Sequence, residues 1–166
     1  MNDAHLHLLV NHFPIIGTIF GLGILISGML FKNNSIKNTA YVLFIVAAIF
    51  SAFSMGTGEG AEELVEDLPN IGKQIIHEHE EIAEKFAILM YATGLFGFLS
   101  LYTSIKNHKL AKTLSFITLV FALFAAVFAK SVGTTGGEIR HTEIRTNLGA
   151  DSNENSTSVN NEKDED

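Results

Sequence analysis

Histidine and glutamate are the side chains of this 166-residue sequence that could do chemistry, since the chain has no cysteine. The seven histidines are His5, His7, His12, His77, His79, His108 and His141. Without cysteine, disulfides, iron–sulfur clusters, zinc–thiolate sites, thioether-linked haem and a cysteine nucleophile are all excluded. Imidazoles and carboxylates are ligands of transition-metal ions, and two imidazoles can hold a haem iron. Metal-centred chemistry is therefore the first class to consider.

The HEHEE run at residues 77–81 holds two histidines with different helical phases. His79 follows Ile75 by four residues and precedes Ile82 by three, so it shares their apolar stripe and is predicted to face a helix bundle. His77 is turned about 200° away on such a helix and is predicted to face water. Of the two, His79 is the candidate ligand.

Two more candidates precede the first long apolar run. Asn11 fits a helix N-cap, and Pro14 is acceptable in the first turn of a helix. This places His12 at the first turn, at the edge of the apolar run. His7 lies five residues earlier and reaches the same side only if the chain bends before Asn11. His12 is therefore the leading candidate here, and His7 is a further one.

Carboxylates accompany these histidines in the sequence. Glu138 precedes His141 by three residues, which puts both on one side of a helical turn, and carboxylate-bridged di-metal bundles use this spacing. One Glu-x-x-His is weak evidence, because four letters recur often by chance. The predicted metal ligands are His7, His12, His79, His141, Glu59 and Glu138, with His12 and His79 as the pair for a larger cofactor.

Four apolar runs must position these residues. Crossing about 30 Å of hydrocarbon takes about 20 helical residues, and none of the four runs contains an acidic residue. They lack the polar stripe of a helix in a soluble bundle. The sequence predicts an all-α membrane protein with four transmembrane helices in an antiparallel bundle of two hairpins, at residues 13–31, 39–55, 86–105 and 110–129.

The charges between the runs predict the orientation. Lysines are the only charged residues that the two short connections carry. Positively charged loops stay in the cytoplasm. Both termini and the longer, partly helical connection between the second and third runs then lie outside, with six of the seven histidines. The predicted location is a bacterial inner membrane, with the lipid bilayer as one partner and the candidate ligands at the outer rim.

The acidic balance of the chain, with a net charge of −7, also bears on its partners and organisation. No basic cluster is present, which argues against nucleic acid as a partner. Residues 146–166 are rich in Ser, Asn and acidic residues and are predicted to be a disordered tail. Residues 1–145 form the transmembrane domain, and the oligomeric state stays open.

Spans two and four end alike, which raises the question of an internal repeat. AAIFSAFSMGTGEG resembles AAVFAKSVGTTGG, with a shared Ser-x-Gly-Thr at residues 54–57 and 131–134. A duplicated helical hairpin and chance similarity between apolar helices both fit. Five glycines within the spans are expected to allow close helix packing; these are Gly17, Gly21, Gly23, Gly94 and Gly97.

The N-terminal sequence HLHLLVNHFPIIG resembles the opening of a widespread bacterial integral-membrane family of unknown function. These are small four-helix proteins that start with His-Pro-x-x-x-His-Phe-Pro. His7 matches the first histidine of that motif, His12 the second and Phe13-Pro14 the Phe-Pro. Leu8 stands where the family has proline.

Other parts of the chain resemble the same family more loosely. Members tend to have a histidine that enters the third helix, matched by His77 or His79, and a Gly-Gly followed by a histidine after the fourth. Gly136-Gly137 and His141 match the latter, although the histidine comes early. The resemblance implies a four-helix membrane domain with histidines on one face, in a family sometimes suspected of binding haem or metal. It implies no established activity.

Two functions of different classes follow from these patterns. The first is a membrane protein that binds a transition-metal ion or b-type haem at its outer rim, for electron transfer with a respiratory or redox partner on that face. The second is a non-catalytic assembly or interaction subunit without a cofactor. Transport is less favoured, because no span carries an ionisable residue at its midplane, and whether the protein is an enzyme stays open.

Overall fold

The computed structural model describes residues 2–66 and 71–145, and these residues form helices without any strand. This confirms the all-α prediction. The predicted disordered tail at residues 146–166 lies outside the described residues. The helices are α1 (Asp3–Val10), α2 (His12–Leu30), α3 (Asn34–Glu63), α4 (Lys73–Ile105) and α5 (Ala111–Arg140), followed by a 3₁₀ turn (Thr142–Ile144).

Four helical segments are long and apolar enough to cross a membrane, judged by length and composition. The first combines α1 and α2, and the other three are α3, α4 and α5. Each contains one predicted span to within one residue, and each extends beyond it at one end or both. These extensions carry the candidate ligands except His141, which directly follows α5.

α2 begins at His12 with Asn11 at the N-cap position, as predicted, but the Asn11 side chain makes no capping hydrogen bond. The Asn11 backbone is helical, with φ −67° and ψ −23°, and its N–H donates to His7 O at 2.9 Å, which closes α1. α1 therefore leads directly into α2, and His12 lies in the first turn of α2 within a longer helical segment.

Asn33, in contrast, caps α3 as a helix N-terminus requires. Its Oδ1 accepts hydrogen bonds from the backbone N–H groups of Ser35 at 2.9 Å and Ile36 at 3.2 Å, which satisfies two donors that lack helical partners. Lys32 just before it has a positive φ of 51°. This tight turn lets α3 start directly after α2.

Small residues bring α2 and α3 together along their length. A Cβ on Gly17 would lie 2.9 Å from the Ala47 Cβ, and one on Gly28 would lie 2.8 Å from the Lys37 backbone N. Residue numbers thus rise along α2 as they fall along α3. The close approach of the backbones leaves little room for side chains between them.

The interior combines large apolar side chains with hydroxyl pairs. Tyr41, Phe44, Leu25 and Met90 are fully buried, while Ser100 and Thr118 hydrogen-bond each other across α4 and α5 at 2.9 Å. The outward faces are apolar as well. Side chains such as Phe20 (65% exposed), Ile88 (66%) and Val127 (67%) point away from the protein, so large apolar residues lie on both sides of the helices.

Candidate metal site at the histidine end of the bundle

Two imidazoles lie among the helix extensions at one end of the fold. His7 lies on α1 and contacts the end of α3, while His79 lies near the start of α4 and contacts the end of α5. Both are partly buried and lie outside the predicted spans. We call them the histidine pair.

His7 is held through its Nδ1 atom. Nδ1 lies 3.0 Å from Ser54 O and 3.2 Å from Thr57 Oγ1. A carbonyl oxygen can only accept, and the Thr57 hydroxyl donates its own proton to a helix carbonyl, at 3.0 Å from Phe53 O. His7 Nδ1 must therefore carry the proton, and in the neutral ring Nε2 keeps a free lone pair.

His79 is held through the same ring atom. Its Nδ1 lies 2.9 Å from Thr135 Oγ1, and the Thr135 hydroxyl also lies 3.1 Å from Ser131 O. When that hydroxyl donates to Ser131 O, Nδ1 is the donor and Nε2 the free acceptor. The ring packs closely against α5, since a Cβ on Gly136 would lie 3.0 Å from His79 Cε1. A larger residue at position 136 would require the ring to shift.

Burial keeps both rings neutral. Burial, and to a lesser extent the charge of His7, lower the pKa of His79 to about 4. Burial likewise lowers the pKa of His7, against the hydrogen bond to Ser54, which raises it, and His12 lowers it further. The two rings of the pair thus lie close enough to interact electrostatically. A neutral imidazole with a free Nε2 is the form that binds metals.

His12 lies near the pair but makes different contacts. Its side chain is exposed, and its Nδ1 hydrogen-bonds Leu8 O at 3.2 Å within the same helical segment. It is close enough to His7 to affect the pKa of that ring. The sequence ranked His12 above His7, whereas His7 is the more buried of the two and has its Nδ1 held by the neighbouring helix.

The remaining predicted ligands are exposed or half-buried. His141 is exposed and pairs with Glu143 at 2.9 Å, and Glu59 is exposed at the end of α3. Glu138 is half-buried, and its backbone O accepts a hydrogen bond from the Arg145 Nε at 2.7 Å. Within residues 2–66 and 71–145, no three His, Asp or Glu side chains are grouped so as to hold a metal ion.

Carboxylates also meet where α3 and α4 come together. Burial raises the pKa of Glu80, and so do a hydrogen bond and charge from Glu62. On the exposed side of α4, His77 is 71% exposed and lies 3.5 Å from Glu81. His77 therefore faces water and His79 faces inward, as the helical phases predict.

Sequence reasoning did not identify the partners of the histidine pair. Thr57 and Thr135 hydrogen-bond the Nδ1 atoms of these rings. Neither was a candidate, because a threonine at the end of an apolar helix is unremarkable in a sequence. The signal that could have found them is the similar ends of spans two and four.

Comparisons of the chain with protein families, with curated proteins and with solved structures find no match.

Proposed function

We propose that this is a multi-pass membrane protein in which His7 and His79 hold a transition-metal centre, either a metal ion or the iron of a b-type haem. One observation carries the proposal: both rings are held through Nδ1 by oxygen atoms of the protein, which leaves Nε2 of each ring available as a ligand. Metal-binding histidines usually show this arrangement, with the second ring nitrogen bonded to an oxygen of the protein.

The membrane part of the proposal is supported by the outward faces of the helices. Every candidate span exceeds the roughly 20 residues needed to cross the hydrocarbon core. Large side chains such as Phe20 and Val127 are mostly exposed on the isolated chain, and burying them against lipid removes that surface from water. We propose that the four spans form an antiparallel bundle of two hairpins.

The orientation follows from the basic loops. Lys32 and Lys37 flank one connection, and Lys106 and Lys109 the other, so we place both in the cytoplasm. Both termini and the histidine pair then lie on the outer face of a bacterial inner membrane.

A topology reporter tests this orientation. A reporter fused after Lys109 is expected to behave as cytoplasmic and one fused after His141 as external, because the lysine-bearing loops are retained inside. Alkaline phosphatase and green fluorescent protein fusions at the same two positions give opposite signals and serve as mutual controls. The reverse pattern would contradict the proposed orientation.

The metal centre is proposed in two forms. A haem iron can be held by two imidazoles, which the histidine pair would supply. A bare ion needs more donors, and His12, His141, Glu59 and Glu138 are the proposed sources. Bound there, the group would supply one-electron chemistry. The chain itself would bind and orient it through the two rings and keep them neutral by burial.

The experiment for this proposal is a visible spectrum, oxidised and dithionite-reduced, with elemental analysis of the same sample. The full chain is purified without chelator, then loaded separately with haemin and with transition-metal ions. A sharp reduced α-band identifies haem, and stoichiometric metal without a Soret band identifies an ion. Protein that shows neither signal, as purified and after loading, would contradict the proposal and favour an assembly or interaction subunit without a cofactor.

A further inference from the structure

The buried positions of α2 recur in α4 at a fixed spacing. The buried residues of α2 are Pro14, Thr18, Gly21, Leu25 and Gly28. Adding 72 to each number gives Phe86, Met90, Thr93, Gly97 and Ser100, all of which are buried in α4. His7 plus 72 is His79. The two helices therefore present the same face to the interior in the same register, although their side chains differ.

The second helices of the two hairpins show a second constant spacing. Four buried residues of α3 are Ala40, Phe44, Ala47 and Ser51. Adding 78 gives Thr118, Ala122, Ala125 and Ala129, which are buried in α5. The same step takes Thr57 to Thr135 and Gly58 to Gly136, the residues that contact the histidine rings.

The contacts made by equivalent residues locate the relation between the halves. Thr18 and Met90 are equivalent positions, and the Thr18 Oγ1 donates to the Met90 Sδ at 2.9 Å. When two halves are related by a two-fold axis, a residue that touches its own equivalent must lie beside that axis. The axis therefore passes between α2 and α4. His79 lies on α4, and His7 lies on α1, which leads into α2.

His7 and His79 are likewise equivalents, one from each half, and each is bound by the threonine of its own half. The His7 Nδ1 lies 3.2 Å from Thr57 Oγ1, and the His79 Nδ1 lies 2.9 Å from Thr135 Oγ1. Each threonine in turn donates back to its own helix. Each of the two equivalent rings is thus held at Nδ1 by the equivalent threonine.

We infer that the protein is a two-fold repeat of one helical hairpin, and that a single metal centre on the axis is bound by Nε2 of His7 and of His79. Thr57 and Thr135 are the positioning residues that keep the proton on Nδ1. This inference rests on the proposed function and adds to it the number of centres, the equivalence of the two ligands and the part of the threonines.

The metal that fits such a pair would be bound by two imidazole nitrogens, one from each half of the chain. Haem iron and a copper(I) ion can both be held by two neutral nitrogen donors. Both share the same chemistry at the ring nitrogens. Titration of the purified chain with haemin and, separately under argon, with Cu(I) distinguishes them.

The test uses the full chain in detergent and the variants Thr57→Val and Thr135→Val. Each removes one hydroxyl that accepts from a ring, while Thr57→Ser and Thr135→Ser keep it. The matched control is Thr134→Val, since the Thr134 hydroxyl donates to Lys130 O and bonds no histidine. Nitrogen NMR of histidine-labelled protein reports the tautomer of each ring before any metal is added.

We expect the wild type to show two Nδ1-protonated rings and to bind one centre per chain. Thr135→Val is expected to lose the fixed tautomer of His79 and to bind the centre about 10- to 100-fold more weakly, the usual effect of losing such a partner. Thr57→Val should cost less, because Ser54 O still accepts from the His7 Nδ1. The serine variants and Thr134→Val should bind like the wild type.

The outcomes separate this inference from the proposed function. Two centres per chain, or a Thr135→Val variant that binds like Thr134→Val, would overturn the inference while the proposed function stands. One centre that survives loss of either histidine would overturn both, because the proposed function also assigns the centre to His7 and His79. A wild type that binds neither haemin nor Cu(I) nor any ion would overturn the proposed function and the shared centre together. The NMR spectra would then still decide whether the two tautomers are equivalent.

Discussion

Replacing His79 by alanine is expected to weaken binding of the metal centre by at least about 100-fold, and His7→Ala should do the same. Loss of a hydrogen-bonding partner of a metal-bound histidine alone costs about 10- to 100-fold, so loss of the ligand itself should cost more. The measurement is titration with haemin or metal ion, followed in the visible spectrum and by elemental analysis.

The controls are the histidines next to the pair in the sequence. His77→Ala removes an exposed ring that contacts carboxylates of its own helix, and it should leave binding unchanged. His12→Ala discriminates more sharply, because the sequence favours His12 and the geometry favours His7. Loss of the centre in His12→Ala with retention in His7→Ala would mean that the ligand pair is His12 and His79.

A second measurement separates ligand loss from damage to the fold. His79 is buried against Gly136 and Thr135, so its removal leaves a cavity that could loosen the end of the bundle. Free imidazole added to His79→Ala should enter that cavity and restore the spectrum of the centre. A variant that keeps its helical content and elution volume but gains nothing from imidazole would contradict a ligand role for His79.

The fold could be predicted from the sequence almost completely, because its signal is simple. Four apolar runs of sufficient length, separated by short lysine-bearing connections, leave little choice but four long helices. The exception is the segment before the first span. Asn11 and Pro14 correctly mark the start of α2, but the residues before them form α1, which Asn11 closes with a hydrogen bond to His7 O.

The candidate site could be predicted only in part. Helical phase correctly separated His79 from His77, because both lie on one uninterrupted helix whose apolar face is known. The comparison of His7 with His12 depended on the course of the chain before Asn11, and the pattern of the first span does not report that α1 holds His7 against α3. The part of Thr57 depends on contacts between helices, which no periodicity within one helix reports.

The register of the internal repeat also could not be predicted from the sequence letters. The letters Ser-x-Gly-Thr align Thr57 with Thr134, but burial and hydrogen bonding align it with Thr135. A one-residue difference moves a side chain by about 100° around a helix, which is the difference between facing lipid or water and facing the histidine. Matched letters suggested the duplication, and the buried faces established its register.

Replacing Gly94 by leucine is expected to destabilise the protein by about 1–3 kcal/mol or more, the cost of forcing extra atoms into a packed interior. Gly94 lies where α4 crosses α3. A Cβ added there would be 2.5 Å from the Ala48 Cβ and 3.5 Å from Phe44 O. Ala48 has no side-chain rotation that would relieve the overlap, so the helices must separate. Thermal unfolding in one detergent measures the effect.

Gly23→Leu is the matched control for this prediction. Gly23 lies within α2, and no described atom comes within 4 Å of a Cβ added there, although the sequence grouped it with the packing glycines. Leucine is also the better helix former by several tenths of a kcal/mol, so the melting temperature should stay level or rise. An equal loss in both variants would contradict the argument, since added bulk rather than the α3–α4 contact would then be the cause.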